Sequence, residues 1–212
     1  MKMTLYGLGP SRSFRCLWAL EEASIDYDFV SLDLTSEEEN GAKSIEYLKL
    51  NPQGKVPTLI HDDFVLTESA AIINYIDACS QENFIPKSAT ERARYDELAF
   101  FVLSELEQPL WTTGKHKFAI PAEHRVPEVL ETAKWEFEKA VNTLGKLCDL
   151  SAKPGGNGGY ALGGSFTFAD ILIAQTFNWA DRFGFDVPQV YLDYRDALFS
   201  RPAAERASSK FE

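Results

Sequence analysis

The chain has 212 residues, 45% of them hydrophobic and 25% charged, which is enough to bury an ordinary core in one large or two small domains. Its formal net charge is −11, from 32 acidic and 21 basic residues. Nucleic acids and anionic membrane surfaces attract cationic proteins, so this charge argues against both as partners. The three cysteines form no Cys-x-x-Cys pair, which argues against a zinc ribbon and a dithiol redox site.

The same features bear on the compartment. Widely spaced free cysteines favour a reducing environment. Residues 1–7 lack the apolar run of a signal peptide, and no segment approaches the roughly 20 apolar residues of a membrane span. We therefore expect a cytoplasmic protein without a membrane partner. We expect no metal site either, because the histidines at 61, 116 and 124 are scattered.

The first 80 residues alternate between strand and helix patterns. In chain order they predict a strand at 3–7, a helix from about Arg12 to Ala23, a strand at Tyr27–Leu34, a loop or short helix ending near Leu50, strands at Val56–Ile60 and Phe64–Thr67, and a helix at Ser69–Ala78. A strand-helix-strand unit followed by a hairpin predicts an α/β sandwich over residues 1–80.

Strand patterns become scarce after a linker at residues 81–89. The later segments predict helices at Thr90–Thr113, Glu128–Leu150 and Phe168–Arg182, a flexible loop at Lys153–Gly159, and shorter helices over Gln189–Ser208. The fold class we predict is therefore α/β plus all-α, with residues 90–212 forming an all-helical second domain.

Several charged and polar groups should meet around residues 55–69. A short strand, a turn and the start of a helix lie between Lys55 and Ser69. A helix N-terminus attracts a carboxylate through its unpaired N–H groups, while Glu68 suits an ammonium group and Lys55 a second carboxylate. An extended zwitterionic peptide carries this set of charges.

An ordered set of motifs supports a more specific hypothesis. The motifs are Ser11-Arg12-Ser13-Phe14-Arg15, Leu17-Trp18-Ala19-Leu20-Glu21-Glu22, Asn51-Pro52-Gln53-Gly54-Lys55-Val56-Pro57-Thr58-Leu59, Leu66-Thr67-Glu68-Ser69-Ala70-Ala71-Ile72 and Phe166-Thr167-Phe168-Ala169-Asp170-Ile171. With them the chain resembles the cytosolic glutathione S-transferases, most closely the bacterial and theta-like members that use a serine. The resemblance implies a thioredoxin-like first domain, a helical second domain that contributes the electrophile site, and a homodimer.

The resemblance also implies how glutathione is held. It assigns Lys55 to the glycyl carboxylate, Glu68 to the γ-glutamyl amine, and Ser69 with its N–H to the γ-glutamyl carboxylate. It further implies a cis peptide bond before Pro57, with the backbone of Val56 pairing with the cysteinyl residue like an added strand. From local sequence alone, Lys55 is equally a solvated lysine and Ser69 equally a helix cap.

Ser11 is the implied catalytic residue, since the family's active serine stands four residues before an arginine, here Arg15. Its hydroxyl would donate a hydrogen bond to the glutathione sulfur and favour the thiolate, which is the nucleophile. Read locally, Ser11 is an N-cap that follows Gly9 and Pro10. Ser13 remains a competing candidate for the same role.

Thr167 and Asp170 have the spacing of a capping box before an apolar run. We interpret them as structural residues, which the family pattern also implies.

The resulting functional hypothesis is a glutathione transferase that conjugates small apolar electrophiles and requires no metal. A glutathione-dependent peroxidase or isomerase on the same fold is one alternative. A non-catalytic binding or regulatory relative is another, although it would have no need to retain Ser11, Lys55, Glu68 and Ser69.

Overall fold

The computed structural model describes residues 2–155 and 158–211. Its contacts divide the chain into two compact units. The first unit comprises Met1–Ile85 together with Ser200–Glu212, and the second comprises Pro86–Phe199. The segment from residue 200 onward, which the sequence assigns to the helical domain, thus packs with the first unit.

The first unit is built on a four-stranded sheet with the order β2-β1-β3-β4. Its elements before residue 86 are β1 (Met3–Gly7), α1 (Ser13–Glu22), β2 (Tyr27–Ser31), α2 (Ile45–Leu50), β3 (Thr58–His61), β4 (Phe64–Thr67) and α3 (Ser69–Cys79). β1 pairs with β2 in parallel and with β3 antiparallel, and β3 pairs antiparallel with β4. This mixed sheet confirms the predicted thioredoxin-like fold.

Two predicted strands are shorter in the structure, each for a local reason. The β1–β2 ladder ends at the pair Gly7–Ser31, because the chain of β1 leaves the sheet after Gly7. Beyond it, the N–H of Leu32 still donates to the carbonyl of Gly7, and Asp33 forms only an isolated bridge with Gly41. β3 begins at Thr58 rather than Val56, since Pro57 has no N–H to donate to a ladder.

The second unit is helical. It contains α4 (Ala89–Phe101), a π-helical segment (Val102–Leu106), α5 (Gln108–Gly114), a second π-helical segment (Lys115–Ala119), a 3-10 turn (Ala122–His124), α6 (Val129–Leu147), α7 (Phe168–Arg182) and α8 (Gln189–Phe199). Its described residues form no strand, although isolated bridges join Gly155 to Gly158 and Tyr160 to Gly163. Residues 156 and 157 of the predicted Lys153–Gly159 loop lie outside the described part.

The single helix predicted over Thr90–Thr113 is interrupted in the structure, and Pro109 accounts for the break. A proline inside a helix removes one backbone hydrogen bond and clashes with the preceding turn. The chain widens before it, where the N–H of Glu107 donates to the carbonyl of Val102 at 2.8 Å, and α5 then starts with Pro109 in its first turn. Pro109 is visible in the sequence, but the helical periodicity on both sides of it favoured one continuous helix.

The last helix, α9 (Pro202–Ser208), and a 3-10 turn (Ser209–Phe211) return to the first unit. Both anchors of α9 lie on the last turn of α1. Arg201 makes a two-pronged ion pair with Glu22 at 2.6 and 2.8 Å, and Arg206 donates to the carboxylate of Glu21 at 2.7 Å. Among the described residues, no helix combines the length and apolarity that crossing a bilayer requires.

Candidate active site

One end of the sheet gathers the predicted site residues of the first unit. Thr58 pairs with Tyr6 on one side and with Thr67 on the other. Three segments therefore leave the sheet at the same end: the one before Thr58, the one after Tyr6 and the one after Thr67. Those stretches carry Lys55–Pro57, Ser11 and Glu68–Ser69, which lie far apart in sequence.

Ser11 lies in the loop between β1 and α1 and is half-buried. Its Oγ is 2.6 Å from the carbonyl oxygen of Leu8 and 2.9 Å from the hydroxyl of Ser13, and it accepts the N–H of Ser13 at 3.1 Å. The last contact is a cap of the kind that the local sequence indicates. To donate to a ligand, the Ser11 hydroxyl must turn away from Leu8.

Ser13 is fully buried, unlike Ser11. Its Oγ accepts the N–H of Leu8 at 3.2 Å, and a Cβ added to Gly7 would lie only 2.6 Å from the Cβ of Ser13. Glycine at position 7 therefore allows the first turn of α1 to pack directly on the end of β1. Ser13 is therefore buried in contacts that join β1 to α1, and Ser11 is the more exposed of the two serines.

Two buried side chains fix the stretch before β3. The hydroxyl of Tyr47 donates to the carbonyl of Lys55 at 2.6 Å and lies 2.8 Å from the Thr58 hydroxyl. The side-chain amide of Asn51 donates to the same Lys55 carbonyl at 2.8 Å. The Val56–Pro57 bond is cis, as the resemblance implies. The Lys55 side chain itself is exposed, so it is open to an anionic ligand.

Replacing Tyr47 by phenylalanine tests this support. We expect Tyr47→Phe to lower the free energy of unfolding by about 0.5–1.5 kcal/mol, the usual net value of one hydrogen bond. Tyr6→Phe is the control, because the Tyr6 ring lies 5.8 Å from the Tyr47 ring while its hydroxyl has no hydrogen-bond partner among the described residues. Urea unfolding of both variants is the measurement. Equal stability losses would contradict the assigned role of the Tyr47 hydroxyl.

Glu68 and Ser69 form the entrance to α3. Glu68 is exposed, occupies the N-cap position without a capping bond and has a φ of 67°, a conformation uncommon for non-glycine residues. Such conformations cluster at functional sites. The first bond of the helix runs from the N–H of Ile72 to the carbonyl of Glu68 at 2.9 Å, so the N–H groups before Ile72 have no acceptor within the helix. These groups suit a carboxylate.

Ser69 is the first residue of the helix, not its cap, and it is buried. The guanidinium of Arg15, also fully buried, donates to the Ser69 hydroxyl at 3.3 Å. Sequence reasoning used Arg15 only as a marker of the motif and missed this contact. The hydrogen bond places the Arg15 guanidinium beside the first residue of α3.

The structure excludes Cys16 as a nucleophile. Its thiol is fully buried in α1 and donates to the carbonyl of Ser69 at 3.7 Å. Burial raises the pKa of the Cys16 thiol far above its usual value, so it stays neutral at physiological pH. No group of three or more His, Cys, Asp or Glu side chains in the described part of the chain could hold a metal ion.

Thr167 and Asp170 lie in the second unit and form the capping box at the start of α7. Fully buried Asp170 also accepts the N–H of Ala161 at 2.8 Å and the hydroxyl of Tyr194 at 2.5 Å. Burial raises the pKa of this carboxyl, and its hydrogen bonds oppose the shift. Asp170 therefore links the start of α7 to α8 and to the preceding loop, in keeping with a structural role.

Comparisons with known proteins agree with this geometry. Residues 1–78 match the family model of the glutathione S-transferase N-terminal domain. The chain is 32% identical over 194 residues to glutathione S-transferase 1 of Dianthus caryophyllus, covering 89% of this chain and 82% of the relative. It is also 32% identical over 178 residues to a probable maleylacetoacetate isomerase of Caenorhabditis elegans, covering 84% and 78%.

A solved structure gives the same assignment. The theta-class glutathione S-transferase of Xanthomonas axonopodis pv. citri, solved with glutathione bound, aligns with a TM-score of 0.76 at 25% identity, covering 97% of this chain and 96% of that one. The four-stranded mixed sheet and the cis bond before Pro57 define a thioredoxin-like protein. The chain belongs to the glutathione S-transferase family.

Proposed function

We propose that this protein is a glutathione transferase, which binds glutathione, ionises its thiol and adds the thiolate to a small apolar electrophile. Glutathione is the co-substrate. The observation that carries the proposal is the convergence of Ser11, Lys55, Glu68 and Ser69 at one end of the sheet. Each supplies a group that a zwitterionic thiol peptide requires.

In the proposed binding mode, charged groups of the protein bind the two ends of glutathione, and its thiol is left to react. Glu68 takes the γ-glutamyl ammonium, and the N-terminus of α3 with Ser69 takes the neighbouring carboxylate. Lys55 takes the glycyl carboxylate, and the backbone of Val56 pairs with the cysteinyl residue. The thiol then faces the loop that carries Ser11.

Ser11 activates the thiol by stabilising its anion. A free cysteine thiol has a pKa of about 8.5, so most of it is protonated at neutral pH. The Ser11 hydroxyl turns from Leu8, donates to the sulfur and favours the thiolate, and the start of α1 adds to the effect. The thiolate then attacks the electrophilic carbon. In a substitution the leaving group departs with the electron pair of the broken bond, and in an addition the π electron pair of the double bond moves to the neighbouring atom, which takes up a proton.

Removing the Glu68 carboxylate tests the binding assignment. We expect Glu68→Ala to weaken glutathione affinity about tenfold to 150-fold, since a hydrogen bond to a charged group is lost. Glu39→Ala is the matched control, because Glu39 is an exposed glutamate of the same unit outside the site. Calorimetric titration with glutathione measures both. An unchanged affinity in Glu68→Ala would contradict the placement of the ammonium group.

One observation favours a second candidate function. The similarity to a probable maleylacetoacetate isomerase supports glutathione-dependent cis–trans isomerisation. There the same thiolate would add to a double bond, allow rotation about the resulting single bond and then leave. Assaying wild-type protein against electrophiles, cis-alkenes and hydroperoxides separates conjugation, isomerisation and peroxide reduction. Glutathione binding without turnover of any substrate would favour a binding protein.

Membership of the family supports a proposal for assembly and compartment. We propose a homodimer that acts in the cytoplasm, without nucleic-acid or membrane partners. The net charge of −11 supports the absence of anionic partners. Light scattering of the purified protein determines the oligomeric state.

A further inference from the structure

Phe211 packs on the loop that carries Ser11, although 200 positions separate the two residues in sequence. A Cβ added to Gly9 would lie 3.2 Å from the Cγ of Phe211 and 3.4 Å from its Cδ1. The phenyl ring therefore lies directly against the backbone of Gly9, which is buried. Gly9 is two residues from Ser11 and next to Leu8, the residue that accepts the Ser11 hydroxyl.

The Phe211 ring is held in this place from several sides. Its centroid lies 6.0 Å from that of Phe14, in the first turn of α1, and 5.9 Å from that of Phe29 in β2. Aromatic rings at this separation and tilt attract each other. The Phe211 ring therefore contacts both α1, which follows the serine loop, and β2, which pairs with β1.

The segment that carries Phe211 is itself anchored to α1. Glu22 is nearly buried, with 9% of its side chain exposed, and its carboxylate accepts two hydrogen bonds from the Arg201 guanidinium. Arg206 donates to the Glu21 carboxylate at 2.7 Å and to the Glu21 carbonyl at 3.1 Å. Arg201 and Arg206 bind the last turn of α1, and Phe211 packs against its first turn. The segment from Arg201 to Phe211 is therefore attached to both ends of α1.

We propose that Phe211 is a positioning residue for Ser11: by covering Gly9 it fixes the loop from which the Ser11 hydroxyl is presented, and so determines how strongly the bound thiol ionises. This inference rests on the function proposed above. Hydrogen bonds of Ser11 and Ser13 to Leu8 hold the loop from within, and the Phe211 ring adds a contact from a distant segment at Gly9, where the backbone has the widest freedom. Lys55, Glu68 and Ser69 lie outside the β1–α1 loop. Binding of the peptide termini by these residues should therefore not depend on Phe211.

The test is the pKa of the bound glutathione thiol, read from thiolate absorbance against pH. In Phe211→Ala we expect this pKa to rise by about 0.5–1 unit, which leaves about threefold to tenfold less thiolate below the pKa. The pH profile of kcat/KM should shift by the same amount. The calorimetric affinity for glutathione should stay within about twofold of wild type, since the terminal charges are bound elsewhere.

Lys210→Ala is the matched control. Lys210 neighbours Phe211 in the same 3-10 turn, but its ammonium group lies 5.6 Å from the Tyr27 ring centroid, away from the serine loop. We expect it to leave the thiol pKa unchanged. If both variants shift the pKa equally, or if Phe211→Ala lowers only thermal stability, the positioning role is wrong.

A double-mutant cycle isolates the contact. Gly9→Ala would crowd the phenyl ring, because the new Cβ would lie 3.2 Å from Cγ. We expect Gly9→Ala to raise the thiol pKa in the wild-type background and to have less effect in Phe211→Ala, where the ring is gone. Additive shifts would overturn the inference.

The outcomes also separate this inference from the proposed function. If glutathione bound to the wild type keeps the pKa of the free thiol, the proposed function fails, and the inference with it. If the wild type lowers the pKa and Phe211→Ala lowers it equally, the inference alone is overturned.

Discussion

Asp170→Ala is expected to lower the free energy of unfolding by about 3–5 kcal/mol, because it leaves several buried donors without an acceptor at once. The affected donors are the N–H groups of Ala161 and Thr167 and the hydroxyls of Thr167 and Tyr194. Each unsatisfied buried group costs about 1–3 kcal/mol, and partial relaxation reduces the sum. Urea unfolding is the measurement.

The control for this variant is Asp149→Ala. Asp149 is exposed and accepts the N–H of Ser151 at 2.9 Å, so its loss should change stability little. Glutathione turnover per folded molecule should survive in Asp170→Ala. A stable but inactive Asp170→Ala protein would instead place Asp170 in the reaction.

Ser11→Ala is expected to raise the pKa of the bound glutathione thiol by about one to two units, because one donor to the thiolate is lost. The rate at neutral pH should fall about tenfold to 100-fold, and raising the pH should restore part of it. Glutathione affinity should be preserved, since in the proposed binding mode other residues hold the peptide termini. A titration of thiolate absorbance with the bound peptide measures the shift.

Ser13→Ala distinguishes the two serines. Ser13 is buried against Gly7 and accepts the N–H of Leu8, so its replacement should reduce stability more than it shifts the thiol pKa. If Ser13→Ala shifts the titration curve and Ser11→Ala does not, Ser13 is the activating serine. If neither variant shifts the curve, the Ser11 hydroxyl is only a cap, and the helix terminus must activate the thiol.

Local sequence patterns were sufficient where a feature depends on neighbouring residues. Period-two alternation marked β1 and β2, and the spacing of Thr167 and Asp170 marked the capping box that the structure confirms. The Asn51–Leu59 motif located the cis peptide bond before Pro57 through the family resemblance.

Features that depend on distant segments carried no readable signal. The hydrogen bond from Tyr47 to the Lys55 carbonyl requires the packing of α2, and the contact of Arg15 with Ser69 joins two helices. Phe211 reaches Gly9 across nearly the whole chain. A short run such as Ser209–Phe211 has no pattern that predicts which surface it covers, because that surface exists only after the sheet and α1 have formed.

The pKa of the glutathione thiol bound to the wild-type protein shows directly whether the protein activates the thiol. Thiolate absorbance is recorded against pH at saturating protein, with free glutathione as the reference. We expect a pKa well below the value of about 8.5 for an ordinary cysteine thiol, because in the proposed mechanism Ser11 and the start of α1 stabilise the anion. A bound thiol that titrates with the same pKa as free glutathione would contradict it.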